Sequence, residues 1–340
     1  MTGRGAMLGL KDLDHLAARL HGRRGRLYDG ARLRALCSLG SPADLAKIIF
    51  PGEGLATAAG LERRLLDAYL SEAREISACF DGARRALLEW QAARFQLENL
   101  KTIVRALSSG AEGTGEQLIS LSAGTGYGRE LAGIKSREEL LAALPEGIFR
   151  ASLARAFDDY PEKGAVFFIE AALERDYLAE LSARVAGLNA RDREAAGALC
   201  AQETAAFNLA LAARGKFFYG FVNKDLLRLL APCPDRELRK LKAMLAVADL
   251  GAAAAIALGP EPSDGAAAQG LEAMSRRRYR RLAVKALRGD HLGFGTVAAY
   301  LALRRLETAD LVTVAEGLRL GTGAAELERR LLPGPEAAHV

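Results

Sequence analysis

The sequence predicts an all-α protein built from three similar helical units, and three observations predict it. Half of the 340 residues are apolar, but only 6% are aromatic and β-branched residues are sparse, so Ala, Leu, Arg and Glu dominate, and these favour helices. Glu89 to Gly110 reads as one long amphipathic helix: Trp90, Ala93, Leu97, Leu100, Val104 and Leu107 step by three and four residues and share one stripe. That segment then returns twice. Asn99, Leu100 and Arg105 fall on Asn208, Leu209 and Arg214 at a displacement of 109 residues, with Gly110 next to Gly220. At 211 residues, Arg94, Asn99, Leu100, Ile103, Leu107 and Gly110 fall on Arg305, Asp310, Leu311, Val314, Leu318 and Gly321. Tyr177 and Tyr279 repeat the spacing of Asn208 and Asp310, at 102 residues, and Tyr69 sits one residue off that register. Matched polar and glycine positions that keep their spacing are the mark of a repeat. The expected divisions are a basic lead-in at 1–26, repeats at 27–128, 129–230 and 231–333, and a tail at 334–340.

In order along the chain, the lead-in reads as a helix carrying Leu8, Leu10, Leu16 and Leu20 and broken at Gly22 to Gly25. A short helix over Tyr28 to Ser38 precedes Ser41-Pro42-Ala43-Asp44. There Ser can cap, Pro suits the first helical position and Asp favours the positive helix end, so a helix runs on to Phe50. Leu61 to Ile76 and Ala83 to Leu107 supply two longer helices, with Arg94, Glu98, Lys101 and Arg105 spaced as an ion-paired solvent edge and Gly110 as the stop. Ser108 to Gly133 is a Gly- and Ser-rich loop. The second repeat opens like the first, with the capping box Ser136-Arg137-Glu138-Glu139 and a stop at Pro145-Glu146-Gly147. Ala165 to Leu188 and Arg191 to Lys216 follow; Phe217, Phe218, Tyr219 and Phe221 could form a short strand but read as a helix end packed in an interface. The third repeat starts at Pro234-Asp235, crosses a loop at Gly259 to Gly270, and carries helices at Met274 to Leu287, Thr296 to Leu318 and Ala324 to Leu332.

Composition narrows the function. The 47 basic residues barely exceed the 42 acidic ones, a net charge of +5, short of the excess of a dedicated nucleic-acid binder. The basic residues are uneven, though. Eight Lys and Arg face three Asp from Met1 to Ala35, and Arg276, Arg277, Arg278, Arg280 and Arg281 form a second cluster, each readable as a solvated helix face or a docking patch. Cys37, Cys79, Cys200 and Cys233 form no C-x-x-C pair and have no His at ligand spacing, which points to buried thiols rather than a metal site or disulfide framework. His15, His21, His291 and His339 have no nucleophile or carboxylate partner at a recognisable spacing. The nearest approach to a phosphate loop, Gly128 to Ser136, misses the Walker spacing because Ile134 separates Gly133 from Lys135, and no strand precedes it. Gly124 to Gly128 and Gly293 to Gly295 read as linker glycines. The N-terminus has Lys11, Asp12 and Asp14 where a signal peptide needs an apolar core, and no stretch is long and apolar enough to span a membrane. No catalytic residue, cofactor, metal or small-molecule substrate is expected.

Three places together resemble the C-type subunit of the archaeal and bacterial V/A-type ATPase, the relative of the d-type subunit of the eukaryotic vacuolar pump. They are Tyr28-Asp29-Gly30-Ala31-Arg32-Leu33-Arg34-Ala35-Leu36, Leu97 to Arg105, and Ala299-Tyr300-Leu301 with Glu307, Asp310, Leu311 and Gly321. The family often has an acidic residue where Arg305 stands and Asn where Asp310 stands. The resemblance implies a pseudo-threefold funnel of three helical domains. It also implies a non-catalytic central-stalk rotor subunit, lying peripherally on the cytoplasmic face of the membrane. Such a subunit links the D- and F-type shaft subunits to the proteolipid ring and passes torque between ATP turnover and H+ or Na+ transport. Arg94, Asn99, Arg105, Arg214, Arg305 and Asp310, on the polar edges of the three long helices, are then expected to face partners or hold domains together. The alternative is a helical-repeat scaffold binding nucleic acid through its arginine clusters.

Overall fold

Chain breaks and caps set where each helix starts. The computed structural model describes residues 10–110, 118–119, 131–162, 165–258, 267–289 and 292–331, and within them regular structure is helical throughout. The helices are α1 (Leu10–Arg24), α2 (Gly30–Leu36), α3 (Pro42–Ile49), α4 (Ala58–Ser77), α5 (Gly82–Ala92), α6 (Arg94–Ser109), α7 (Arg137–Ala143) and α8 (Ile148–Asp159). They continue as α9 (Val166–Ala186), α10 (Ala190–Ala213), α11 (Asn223–Leu229), α12 (Asp235–Ala246), α13 (Leu250–Leu258), α14 (Ala267–Gly289), α15 (Phe294–Arg319) and α16 (Ala324–Arg330). Ser41 and Ser136 cap as expected, their hydroxyls accepting from the backbone N–H of Asp44 at 3.2 Å and of Glu139 at 3.1 Å. Glu139 reaches back to the N–H of Lys135 at 2.8 Å, completing a variant of the capping box.

Three expectations need correction. The long helix of the first repeat is two helices, because the backbone turns at Ala93, whose N–H is shared between the carbonyls of Glu89 and Trp90. Helices α8, α11 and α13 lack a periodic stripe long enough to be recognised in the sequence, and the lead-in helix runs through Gly22 to Arg24. The aromatic run from Phe217 is a helix end, as expected: a single π-helical turn, Arg214–Phe218, follows α10. Most of the expected loops at 108–133 and 259–270, Gly124 to Gly128, Leu8, His291, His339 and the tail from 334 lie outside the described residues.

By its contacts the chain forms two compact units. One comprises Met1–Leu88, Ala190–Leu199 and Arg276–Val340; the other comprises Glu89–Asn189 and Cys200–Ser275. In the first unit, α15 lies along α4 and touches α1, α3 and α16, and Leu33, Leu36, Leu45, Leu61, Leu65, Leu311, Val314 and Leu327 form one buried cluster. In the second unit, α6 lies on α9, and α8 packs on α9 beside it. A separate cluster there joins Ala212 and Ala213 of α10 to Leu226, Leu241, Met244, Ala253 and Leu271.

Three connections join stretches that are matched in the sequence, two by helix packing and one by side-chain bonds. Helix α6 of the first repeat lies on α9 of the second. The α10 segment of the second repeat reaches the start of α14 in the third through Gln202 Nε2, which donates to the Ser275 carbonyl at 3.5 Å, and through an Arg214–Glu272 ion pair at 3.6 Å. Finally α15 of the third repeat returns to α4 of the first.

The glycines matched by the repeat also share one backbone state: Gly110, Gly220 and Gly321 have φ of 68°, 67° and 68°. A left-handed residue ends the helix because its N–H can turn back to the last carbonyls, and a Cβ there costs roughly 1–2 kcal/mol. Gly110→Ala and Gly321→Ala are therefore each expected to lower stability by about 1 kcal/mol in urea denaturation. Both positions are solvent-exposed with open space around them, so an unchanged midpoint would show that the left-handed turn is not required.

Candidate functional site

The polar residues singled out by the repeat sit at the seams between long helices. In the second unit, Glu174 on α9 is 5% exposed and receives Arg94 Nη2 at 3.0 Å and, closer still, Lys101 Nζ. Burial pushes the Glu174 carboxyl up, but the two cations from α6 outweigh it and hold the group below the usual carboxylate range. Lys101 is itself 8% exposed, and the expected solvent edge is a buried ionic seam at this point: the α6 face that carries it is turned onto α9. One turn on, Arg105 grips Glu170 with two bonds, Nε to Oε1 at 2.5 Å and Nη2 to Oε2 at 3.1 Å.

Trp90 organises the apolar side of this seam. Its ring stacks on Phe149 and Tyr177 with centroids 5.3 and 5.5 Å apart, and Arg184 lies over its face at 4.9 Å. Its Nε1–H donates to the Tyr177 carbonyl at 3.0 Å. Arg94 lies 5.8 Å from the Tyr177 ring centroid, and Arg305 in the first unit takes the corresponding place over Tyr279 at 5.1 Å.

Asn99 and Asn208, equivalent in the repeat, do one job. The Asn99 amide donates to the Ile119 carbonyl at 2.9 Å and accepts from the Ile119 N–H at 2.7 Å. Asn208 does the same to Ala231, at 3.0 and 2.8 Å. Each amide thereby ties a returning backbone to a buried helix face, with Asn99 1% and Asn208 0% exposed. A carboxylate cannot donate, so Asp310, at the third equivalent position, is used differently: it accepts Arg276 Nη2 at 2.7 Å. Arg214 stays largely exposed, in a 3.6 Å ion pair with Glu272.

In the first unit the two ends of the resemblance meet. Glu307 on α15 accepts the backbone N–H of Tyr28 at 2.5 Å and Arg304 Nη1 at 2.7 Å. Asp29 holds Arg24 at 2.6 Å and Arg280 at 3.2 Å. Glu72 on α4 gathers Arg23 at 2.8 Å, Arg304 at 3.1 Å and the Tyr300 hydroxyl at 2.6 Å. Burial pushes the Glu307 carboxyl up, and the Tyr300 phenol is pushed far up by burial and by its bond to Glu72. Sequence reasoning misses Glu72, Arg304 and Glu174, and it reads Trp90 as one more apolar position, since each matters through a partner far along the chain. Of the four cysteines expected to be buried, Cys37 and Cys200 are, whereas Cys79 and Cys233 are part-exposed.

Chemically this is a set of mutually satisfied ionic and amide clamps. Among the described residues no group of three or more His, Cys, Asp or Glu is placed to hold a metal, and no helix is long and apolar enough to cross a membrane.

The sequence profile of the ATP synthase (C/AC39) subunit family matches residues 16–330. The chain belongs to that family. The match takes in both ends of the Tyr28–Glu307 and Asp29–Arg280 contacts, so residues that close the first unit lie inside the family's span. The chain is also similar to the C-type subunit of the A-type ATP synthase of Haloferax volcanii, 27% identical over 181 residues, 49% of this chain and 52% of that protein. It thus spans about half the length of that curated relative. The family is one of ATP synthase subunits.

Proposed function

We propose that the chain is the non-catalytic rotor socket of a V/A-type ATPase, seated peripherally on the cytoplasmic face of the membrane. In this reading three similar helical domains enclose a funnel about a pseudo-threefold axis. The mouth receives the D- and F-type shaft subunits, the base rests on the proteolipid ring, and the chain passes torque between ATP turnover and ion movement.

The observation that supports the reading is that stretches matched in the sequence meet: α6 lies on α9, α15 lies on α4, and the α10 segment is bonded to the start of α14. The ionic seams supply what a torque-bearing part requires. Glu174 with Arg94 and Lys101, and Glu72 with Arg23 and Arg304, cross-link long helices over many residues of sequence, so that load on one helix passes to its neighbour. Arg94, Asn99, Arg305 and Asp310 serve by holding helices together, while the exposed side chains of Arg105 and of Arg214, just past the end of α10, are the two of the six offered to a partner.

The test is genetic and biochemical. Affinity purification of the tagged chain from detergent-solubilised membranes of its host should bring down shaft and proteolipid subunits. Deleting its gene should abolish ATP-driven ion pumping while the head retains ATP hydrolysis. A chain that comes away alone, or pumping that survives the deletion, would overturn the rotor reading.

A further inference from the structure

The second arginine cluster separates, in the fold, into two faces of one helix. Tyr279, Arg280, Ala283 and Leu287 of α14 are buried, and Arg276 and Arg280 are spent on Asp310 and Asp29. Arg277, Arg278, Arg281, Lys285 and Arg288 are all exposed, and none makes an ion pair with a described residue. At 3.6 residues per turn these five side chains fall within roughly 100° of arc, opposite the buried face, along about 16 Å of helix. No acidic residue lies between Arg276 and Gly289. Five uncompensated like charges on one stripe repel one another, and an anionic surface would relieve that repulsion.

We infer that this stripe docks on the anionic phospholipid headgroups of a membrane surface. Four of the five cations are arginines, whose planar forks match phosphate oxygens two at a time. The sector they occupy holds no exposed large apolar side chain, so it lacks the apolar or aromatic centre around which a protein–protein interface is built. A straight row of charges with no hydrophobic core fits a plane of headgroups, held by electrostatics alone. The inference is independent of the rotor reading, since vesicle binding requires no other subunit.

The full chain is mixed with vesicles of phosphatidylcholine alone and of phosphatidylcholine with phosphatidylglycerol, and bound protein is separated by flotation. Binding is expected only to the anionic vesicles, weakening as salt is raised. The triple variant Arg277→Gln, Arg281→Gln, Arg288→Gln should bind on the order of a hundredfold more weakly, with an unchanged melting temperature because these side chains make no contact that holds the fold. The inference falls if the chain ignores anionic vesicles, or if the triple variant binds them as well as the parent does. It falls equally if duplex DNA competes as strongly as the vesicles, which would make the stripe a general polyanion patch. It also falls if these arginines cross-link to an acidic protein subunit while vesicle binding is absent.

Discussion

Replacing Glu174 with alanine is expected to destabilise the second unit by about 3 kcal/mol, the cost of leaving the buried Lys101 with only Glu98, at 3.3 Å, as its partner. Arg94 and Lys101 converge on that one carboxylate from α6, and Lys101 has little solvent to retreat to. Urea denaturation at neutral pH reads the effect, and a loss under about 1 kcal/mol would mean that the two cations find other partners at no cost. The pH dependence gives a second readout. Because the folded-state value of Glu174 is depressed below the ordinary 4.5, the unfolded chain binds the proton more readily than the folded one. The stabilisation is fully present above that ordinary value and is lost as pH falls through the depressed one. The alanine variant should therefore show a shallower loss of stability on the acid side than the parent.

The second large effect is expected at Asn208. Asn208→Asp keeps the shape but removes the donor to the Ala231 carbonyl and places a carboxylate oxygen against it, at a site with no solvent exposure. Losing that bond and burying an uncompensated charge should together cost about 3 kcal/mol or more at neutral pH. The loss should shrink as pH falls, since the buried carboxyl takes up its proton more readily folded than unfolded, and the protonated acid can again donate. Asn99→Asp should behave alike, because its amide makes the same pair of bonds to Ile119. Urea midpoints across an acid-to-neutral pH series check this; a penalty that did not shrink on acidification would deny the amide its role as donor.

These residues show how far the sequence could be read. The positions 99, 208 and 310 were matched in the sequence by their spacing, and the glycines matched with them, Gly110, Gly220 and Gly321, share one left-handed φ. What the amides grip was not legible, since Ile119 and Ala231 are ordinary residues in connections, chosen by where the backbone returns. The stripe of Leu97, Leu100 and Val104 told that α6 is buried on one side. It could not tell that Lys101, spaced like a surface residue, points at Glu174: ionic partners carry no periodicity, so their charge alone reads as solvent-facing.

By itself, then, the sequence determined the helical class, most helix starts and stops, and the family, because caps, glycines and apolar periodicity act over a few residues and are written in order along the chain. Only the tertiary structure decided which helix packs on which, which charges are buried, and that α15 closes onto α4. Those choices rest on contacts between residues as far apart as Tyr28 and Glu307, where the free energy depends on burial and mutual distance, neither of which a linear pattern contains.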